Sequence, residues 1–168
     1  VFAGIGPDTL RKLQRRVLLL TDVQARPYIK TRPHFPDIER ELFFDIETDP
    51  MRDICYLHGF VERIGRNSSS ERYLPFLAET PTPEGEQEAF RQAWEYVCSS
   101  RPAALYFYSK YERTWWRTLQ QRYPEIATAQ QVEELFDPAT AVDLYYNVVL
   151  PCTEWPTNDF SIKTLASY

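Results

Sequence analysis

The stretch "ELFFDIETDP" (41–50) sets two carboxylates, Asp45 and Glu47, directly behind a run of large apolar residues. Alternate side chains of an extended strand point to opposite faces, so Leu42, Phe44 and Ile46 share one side while Phe43, Asp45 and Glu47 share the other. Two acids therefore converge on one spot. Burying carboxylates without a partner costs several kcal/mol or neutralises them through a raised pKa, so a cation or a basic group is expected nearby. A third acid, Glu112, follows the apolar run "ALYFY" (104–108). On a helical wheel of about 100° per residue it falls with Trp115, Trp116, Leu119 and Tyr123, at the start of an apolar face. Asp45, Glu47 and Glu112 meeting at one end of a sheet offer oxygen ligands suited to a hard divalent ion, magnesium or manganese.

Each of these acids also has a purely structural reading. "SKYE" (109–112) fits a helix capping box with Ser109 as N-cap and Glu112 three residues on, a role compatible with metal ligation. A D-x-E triplet at a strand end is equally well served by solvent or by capping the next turn. Asp143 in "VDLYYN" is either a further ligand or the N-cap of a following helix. Lys110, Arg113 and Arg117 form a basic stripe that either faces phosphates beside the acids or lies on a solvated surface. Trp115 and Trp116 at helical spacing read as core rather than as base-stacking groups. His58 lies within a strand pattern and reads as a packed or hydrogen-bonded side chain rather than a general base.

The elements that must position these acids follow from periodicity. "ELFFDIET" (41–48), "ICYLHGFVERI" (54–64) and "ERYLPFLA" (71–78) read as three strands, and the short links between them predict an antiparallel meander. The second and third are separated by the polar turn "GRNSSS". Thr and Pro helix-start chemistry then precedes a helix over 84–99, with Phe90, Ala93, Trp94 and Val97 on one face. A strand over 104–108 returns parallel to the first, followed by helices over 110–123 and 125–136. The segment 141–150 is ambiguous between strand and helix, and "SIKTLASY" begins a helix. Ligands of such sheets gather outside the carboxyl ends of the parallel strands, where Glu112 would meet Asp45 and Glu47. The fold class expected is α/β: a mixed sheet of three antiparallel strands followed by parallel ones, flanked by helices.

The chain of 168 residues suits one domain of ordinary size, and its formal net charge of −5 argues against a non-specific basic coater of nucleic acid. No apolar run approaches the roughly 20 residues needed to span a bilayer, so a cytoplasmic protein without a membrane partner is expected. Cys55, Cys98 and Cys152 are widely spaced with no C-x-x-C pair, which disfavours a disulfide framework or a zinc knuckle. Ahead of the sheet, "GPDTLRKLQRRVLLL" predicts an amphipathic helix with Leu10, Leu13, Val17 and Leu20 on one stripe, and Pro27, Pro33 and Pro36 make an extended connector. Residues 1–35 are thus expected as helix and linker, and 36–168 as the domain. The chain opens at "VFAGIG" and ends at "TLASY" inside a helical pattern, so an internal piece of a longer protein, cut short at its C-terminus, is expected.

"FFDIETDP", "YFYSKYERTWWRTL", "VDLYYNVV" and "SIKTLASY", in that order, resemble the ribonuclease-H-like exonuclease superfamily whose metal site is named DEDD for its four acids. More narrowly they look like the YprB-type ribonuclease-H-like domain of predicted RecB-family nucleases. The resemblance covers about residues 36–168. It puts Asp45 and Glu47 at the two acidic positions of the first motif, and Glu112 where most members of the superfamily have Asp. It implies a ribonuclease-H-like fold and hydrolysis of phosphodiester bonds, of the 3′ to 5′ exonuclease type, on DNA more than RNA. It also implies two magnesium or manganese ions, one activating water and the other stabilising the leaving 3′ oxygen, with Asp45 bridging them and Glu47 and Glu112 completing the ligand set. The superfamily's last motif, with the fourth acid and the general base, lies on a helix beyond "SIKTL" and so beyond Tyr168. Upstream RecB-like nuclease and downstream helicase domains are the implied neighbours. The rival reading is a ribonuclease-H-like module that no longer cuts and instead binds nucleic acid or positions other domains.

Overall fold

A computed structural model describes residues 4–168, which divide by packing into two units: one from the residues up to Pro33 together with Tyr145–Tyr168, the other His34–Leu144. The first contributes α1 (Pro7–Thr21) and the two-residue strand β1 (Tyr28–Ile29) before the chain enters the second at β2 (Arg40–Asp49).

In β2 the alternation of the sequence becomes burial. Leu42, Phe44 and Ile46 are inside and Asp45 and Glu47 are exposed. β3 (Ile54–Ile64) pairs antiparallel with β2, and β4 (Asn67–Leu77) with β3. The turn between β3 and β4 is tighter than the expected "GRNSSS" loop, and β4 starts four residues earlier than expected. Gly65 and Arg66 both hold positive φ, 61° and 56°, the two-residue turn whose twist matches paired strands. Ser70 then accepts a hydrogen bond from the Ile64 backbone N–H at 2.8 Å, supplying a partner where the β3–β4 register slips.

α2 (Pro83–Ser99) begins on Thr82, whose hydroxyl accepts the Gly85 N–H at 3.2 Å. Ala89, Phe90, Ala93, Trp94 and Val97 lie buried along one side of α2, the apolar stripe predicted for it. The chain returns through the wholly buried β5 (Ala104–Phe107), parallel to β2 with Leu42 beside Leu105. α3 (Tyr111–Arg122) and α4 (Ala129–Leu135) follow, and β6 (Ala141–Asp143) adds parallel to β5. α4 starts later than expected because Thr128 and Gln131 form a capping box that fixes its first turn. The five strands run in the order β4-β3-β2-β5-β6. This is the mixed α/β sheet expected, flanked by helices.

Trp116 of α3 is the centre of the core. Its ring meets Phe44 at 5.0 Å and Phe90 at 5.4 Å between centroids, and its indole N–H donates to Nδ1 of His58 at 3.1 Å. Burial pushes the His58 pKa down to about 3, so the ring is neutral and serves as an acceptor inside the core. Trp115 is only half buried, against the Arg122 guanidinium 5.5 Å from its ring centroid.

The segment 141–150 adopts both of its possible forms in succession. β6 gives way to a π-helical turn (Leu144–Val149) and the short α5 (Leu150–Cys152). In the other unit, β1 pairs antiparallel with β7 (Thr153–Glu154), and Lys30 bridges to Glu154 at 3.0 Å. Arg16 of α1 donates to the carbonyls of Trp155 and Thr157 and sits 4.9 Å from the Phe160 ring centroid. A short helix, α6 (Ile162–Ala166), ends the chain, capped by Ser161. The apolar stripe of α1 is real in sequence but contains no buried residue. Among the described residues no helix is long and apolar enough to cross a membrane.

Candidate active site

Strand register places the acids. Phe43 of β2 lies beside Tyr106 of β5, and Phe107 of β5 beside Asp143 of β6, so the three parallel strands finish at one edge. Asp45 stands two residues beyond Phe43 and Asp143 is the last residue of β6. Glu112 is the second residue of α3, just after the three-residue loop that leaves β5. These three acids come from widely separated stretches of chain and are brought to the carboxyl ends of the parallel strands.

Glu112 is the unusual member. It is 3% exposed, and its Oε2 is buried with no hydrogen-bond partner. Burial, seconded by the negative charges of Asp45 and Asp143, pushes its carboxyl up to about 7, against backbone hydrogen bonds at Glu112 and Tyr108 that favour the anion. Asp45 and Asp143 are thus both close enough for their charges to act on Glu112. Asp45 and Glu47 are exposed, on the face of β2 away from its buried side chains.

Two structural alternatives for these acids are not realised. The capping box expected of Ser109 and Glu112 does not form: α3 starts one residue later, with Lys110 at the N-cap position and no side-chain cap. Ser109 instead takes a positive φ of 77°, and its N–H donates to Asp143 Oδ1 at 3.0 Å. The turn after β2 is capped by Asp49, which accepts the N–H groups of Met51 and Arg52 at 2.9 and 3.2 Å, so Asp45 and Glu47 are not needed there. Asp143 has a structural duty in holding Ser109, and a position at the site as well.

A contact that the sequence did not reveal ties the two halves together. The Thr48 hydroxyl and the Tyr111 hydroxyl are 2.6 Å apart, joining the end of β2 to the start of α3. The β2–β3 register shifts between Glu47 and Thr48, an irregularity of the kind that re-aims side chains beside active sites. The only sequence signal for this pair was a polar side chain next to each acid.

The basic stripe is engaged within the protein. Arg113 and Arg117 both bridge to Glu133 of α4, at 2.6 and 2.5 Å, fastening α3 to α4. Lys110 precedes α3 at the rim of the acidic edge. Cys55, Cys98 and Cys152 are free thiols, and burial pushes the Cys55 thiol up to about 12, which makes it a poor nucleophile.

The donor chemistry suits a hard divalent cation: carboxylates alone, one of them with an orphaned buried oxygen and a pKa raised by burial and by the charges of two others. As the side chains stand, no three His, Cys, Asp or Glu among the described residues are gathered closely enough to hold a metal ion. A family model described as the RNase H superfamily matches residues 42–168. No curated protein and no solved structure matches the chain.

Proposed function

The chain belongs to the RNase H superfamily, and on that premise we propose a metal-dependent nuclease domain of the YprB type, within a larger RecB-like nuclease or helicase protein. The superfamily points to nuclease-like action on nucleic acid, with divalent metal as the usual cofactor. The reaction proposed is hydrolysis of phosphodiester bonds from a 3′ end, on DNA in preference to RNA. One observation carries the reading: Glu112, buried with an oxygen unpartnered, has its pKa raised further by the charges of two other acids at the carboxyl edge of the parallel strands. A purely structural glutamate would be compensated.

Asp45, Glu47 and Glu112, with Asp143 as a further donor, are the side chains that would hold magnesium or manganese. Two bound ions supply an activated water and charge stabilisation for the leaving oxygen. The protein's part is to keep the carboxylates aimed. Thr48 and Tyr111 lock the two elements that bear Glu47 and Glu112, and Asp143 holds the loop between β5 and α3. Glu112 must lose its proton before it can ligate, so its raised pKa makes metal binding and cleavage rise with pH through neutrality.

A second reading, a ribonuclease-H-like module that binds or scaffolds without cutting, is favoured by the open spacing of the acids. The test is degradation of end-labelled single strands of DNA and RNA with magnesium or manganese, by the wild-type protein and by Asp45→Asn. Metal-dependent shortening lost in the variant supports the nuclease. Equal shortening by both removes Asp45 from the mechanism, and binding without any shortening favours the scaffold.

A further inference from the structure

The sheet face that carries Asp45 continues across β3 and β4, and strand register defines its rows. Phe43, Val61 and Tyr73 form one row, Asp45, Gly59 and Pro75 the next, and Glu47, Leu57 and Leu77 the third. Directly paired antiparallel residues project their side chains on the same face, so the Cβ that Gly59 lacks would stand beside the Asp45 side chain. Tyr73 occupies that space. A Cβ on Gly59 would lie 3.1 Å from the Tyr73 hydroxyl oxygen and 3.2 Å from its Cε2. The ring therefore leans diagonally out of its own row and over the glycine, toward the acids.

Its exposure makes this placement informative. Tyr73 is 58% exposed although it is a large ring on a sheet, so it adds little to the core, and an apolar surface is left in water next to charged groups. Leu77 in the neighbouring row is exposed as well. Paired Cβ atoms are about 5 Å apart, so the Tyr73 hydroxyl lies within roughly 9 Å of the Asp45 Cβ. That separation matches the reach from a phosphate to a base of the same nucleotide. Aromatic faces receive bases of any sequence, because every base presents a π-face.

We infer that Tyr73 is a substrate-positioning residue, whose ring receives a base near the 3′ end of a single strand when the adjoining phosphate lies at Asp45, Glu47 and Glu112. This rests on the nuclease reading above. Gly59 is part of the same device, since it is the missing side chain that lets the ring lie across the sheet beside Asp45.

The experiment measures fluorescence anisotropy of 5′-labelled oligothymidylate, with calcium in place of magnesium. One probe has intact bases throughout and the other has its last two 3′ nucleotides abasic. Wild-type protein should prefer the intact probe by about 10-fold. Tyr73→Ala and Tyr73→Leu should lose that preference, and Tyr73→Phe should keep it. Gly59→Ala should weaken it without removing any atom of the ring. An equal preference in wild-type, Tyr73→Ala and Tyr73→Leu proteins overturns the assignment, as does failure of the wild-type protein to bind either probe. Base preference that tracks Tyr73 with no metal-dependent cleavage by the wild-type protein would break the nuclease reading alone. Cleavage that needs Asp45 while Tyr73→Leu keeps the preference would break the Tyr73 assignment alone.

Discussion

Glu86 and Glu112 are both glutamates in the first turn of a helix, buried to 1% and 3% exposure, and their surroundings are opposite. Glu86 accepts the Cys55 N–H at 2.6 Å and the Tyr123 hydroxyl at 2.7 Å, and pairs with Arg122 at 3.1 Å. It joins α2, β3 and α3, and its charge is fully compensated. Glu112 keeps an oxygen without a partner, and the charges that perturb it are acids. Burial of a carboxylate alone does not mark a site; burial without compensation does, because the fold bears a cost that only a ligand can relieve.

The contrast can be broken by mutation. The largest effect expected is on chemistry: Asp45→Asn should lower metal-dependent cleavage by about 1000-fold, measured on an end-labelled strand, with little change in melting temperature. Next comes Glu86→Ala, which strips Arg122, Tyr123 and the Cys55 N–H of their common partner. Because Arg122 is partly exposed, the loss expected is about 3 kcal/mol of stability by urea denaturation, at the low end for breaking a buried pair. If Glu86→Ala proves neutral, the compensated acid is not the structural one.

Glu112 should make the stability of the chain depend on pH. Its pKa rises from an ordinary 4.5 to about 7 on folding, so the folded chain holds the proton more tightly than the unfolded one. The associated stability is fully present below pH 4.5 and is lost as pH rises through 7, by roughly 3 kcal/mol without metal. Glu112→Gln should remove that slope and be the more stable protein at pH 8. Manganese at pH 8 should raise the melting temperature of the wild-type chain and do little for Glu112→Gln; a rise of equal size in both would remove Glu112 from the metal site. The smallest effect expected is at the α3–α4 surface, where Arg117→Ala should cost under about 1 kcal/mol in a melting experiment, since its pairing with Glu133 is solvent-exposed.

Much of this was legible in the sequence where periodicity is strong. β3 matches its expected bounds and α2 falls within one residue of them, because β-branched alternation and a proline-started apolar stripe leave few alternatives. The β3–β4 turn was not legible, because residue type gives little warning that an arginine will hold a positive φ. Glu86 was missed as an anchor because acids in a first helical turn ordinarily sit in solvent. Its signal was its place on the stripe of Ala89, Phe90, Ala93 and Val97. At the site, spacing brought Asp45 and Glu112 to one edge, but "SKYE" also promised a capping box. Instead Ser109 takes a positive φ and its N–H bonds to Asp143, a long-range contact that local spacing does not announce.

The strand order has a kinetic consequence. β2, β3 and β4 are neighbours in both sequence and space, and tight turns let them zip together on their own, whereas β5 and β6 must close long loops to add in parallel. Asp45 and Glu47 therefore belong to a hairpin sheet that assembles early, and Glu112 and Asp143 arrive with the late, non-local pairings. A nascent or partly unfolded chain carries only half of the carboxylate set, so full cation affinity would report that the last and slowest strand pairings are complete.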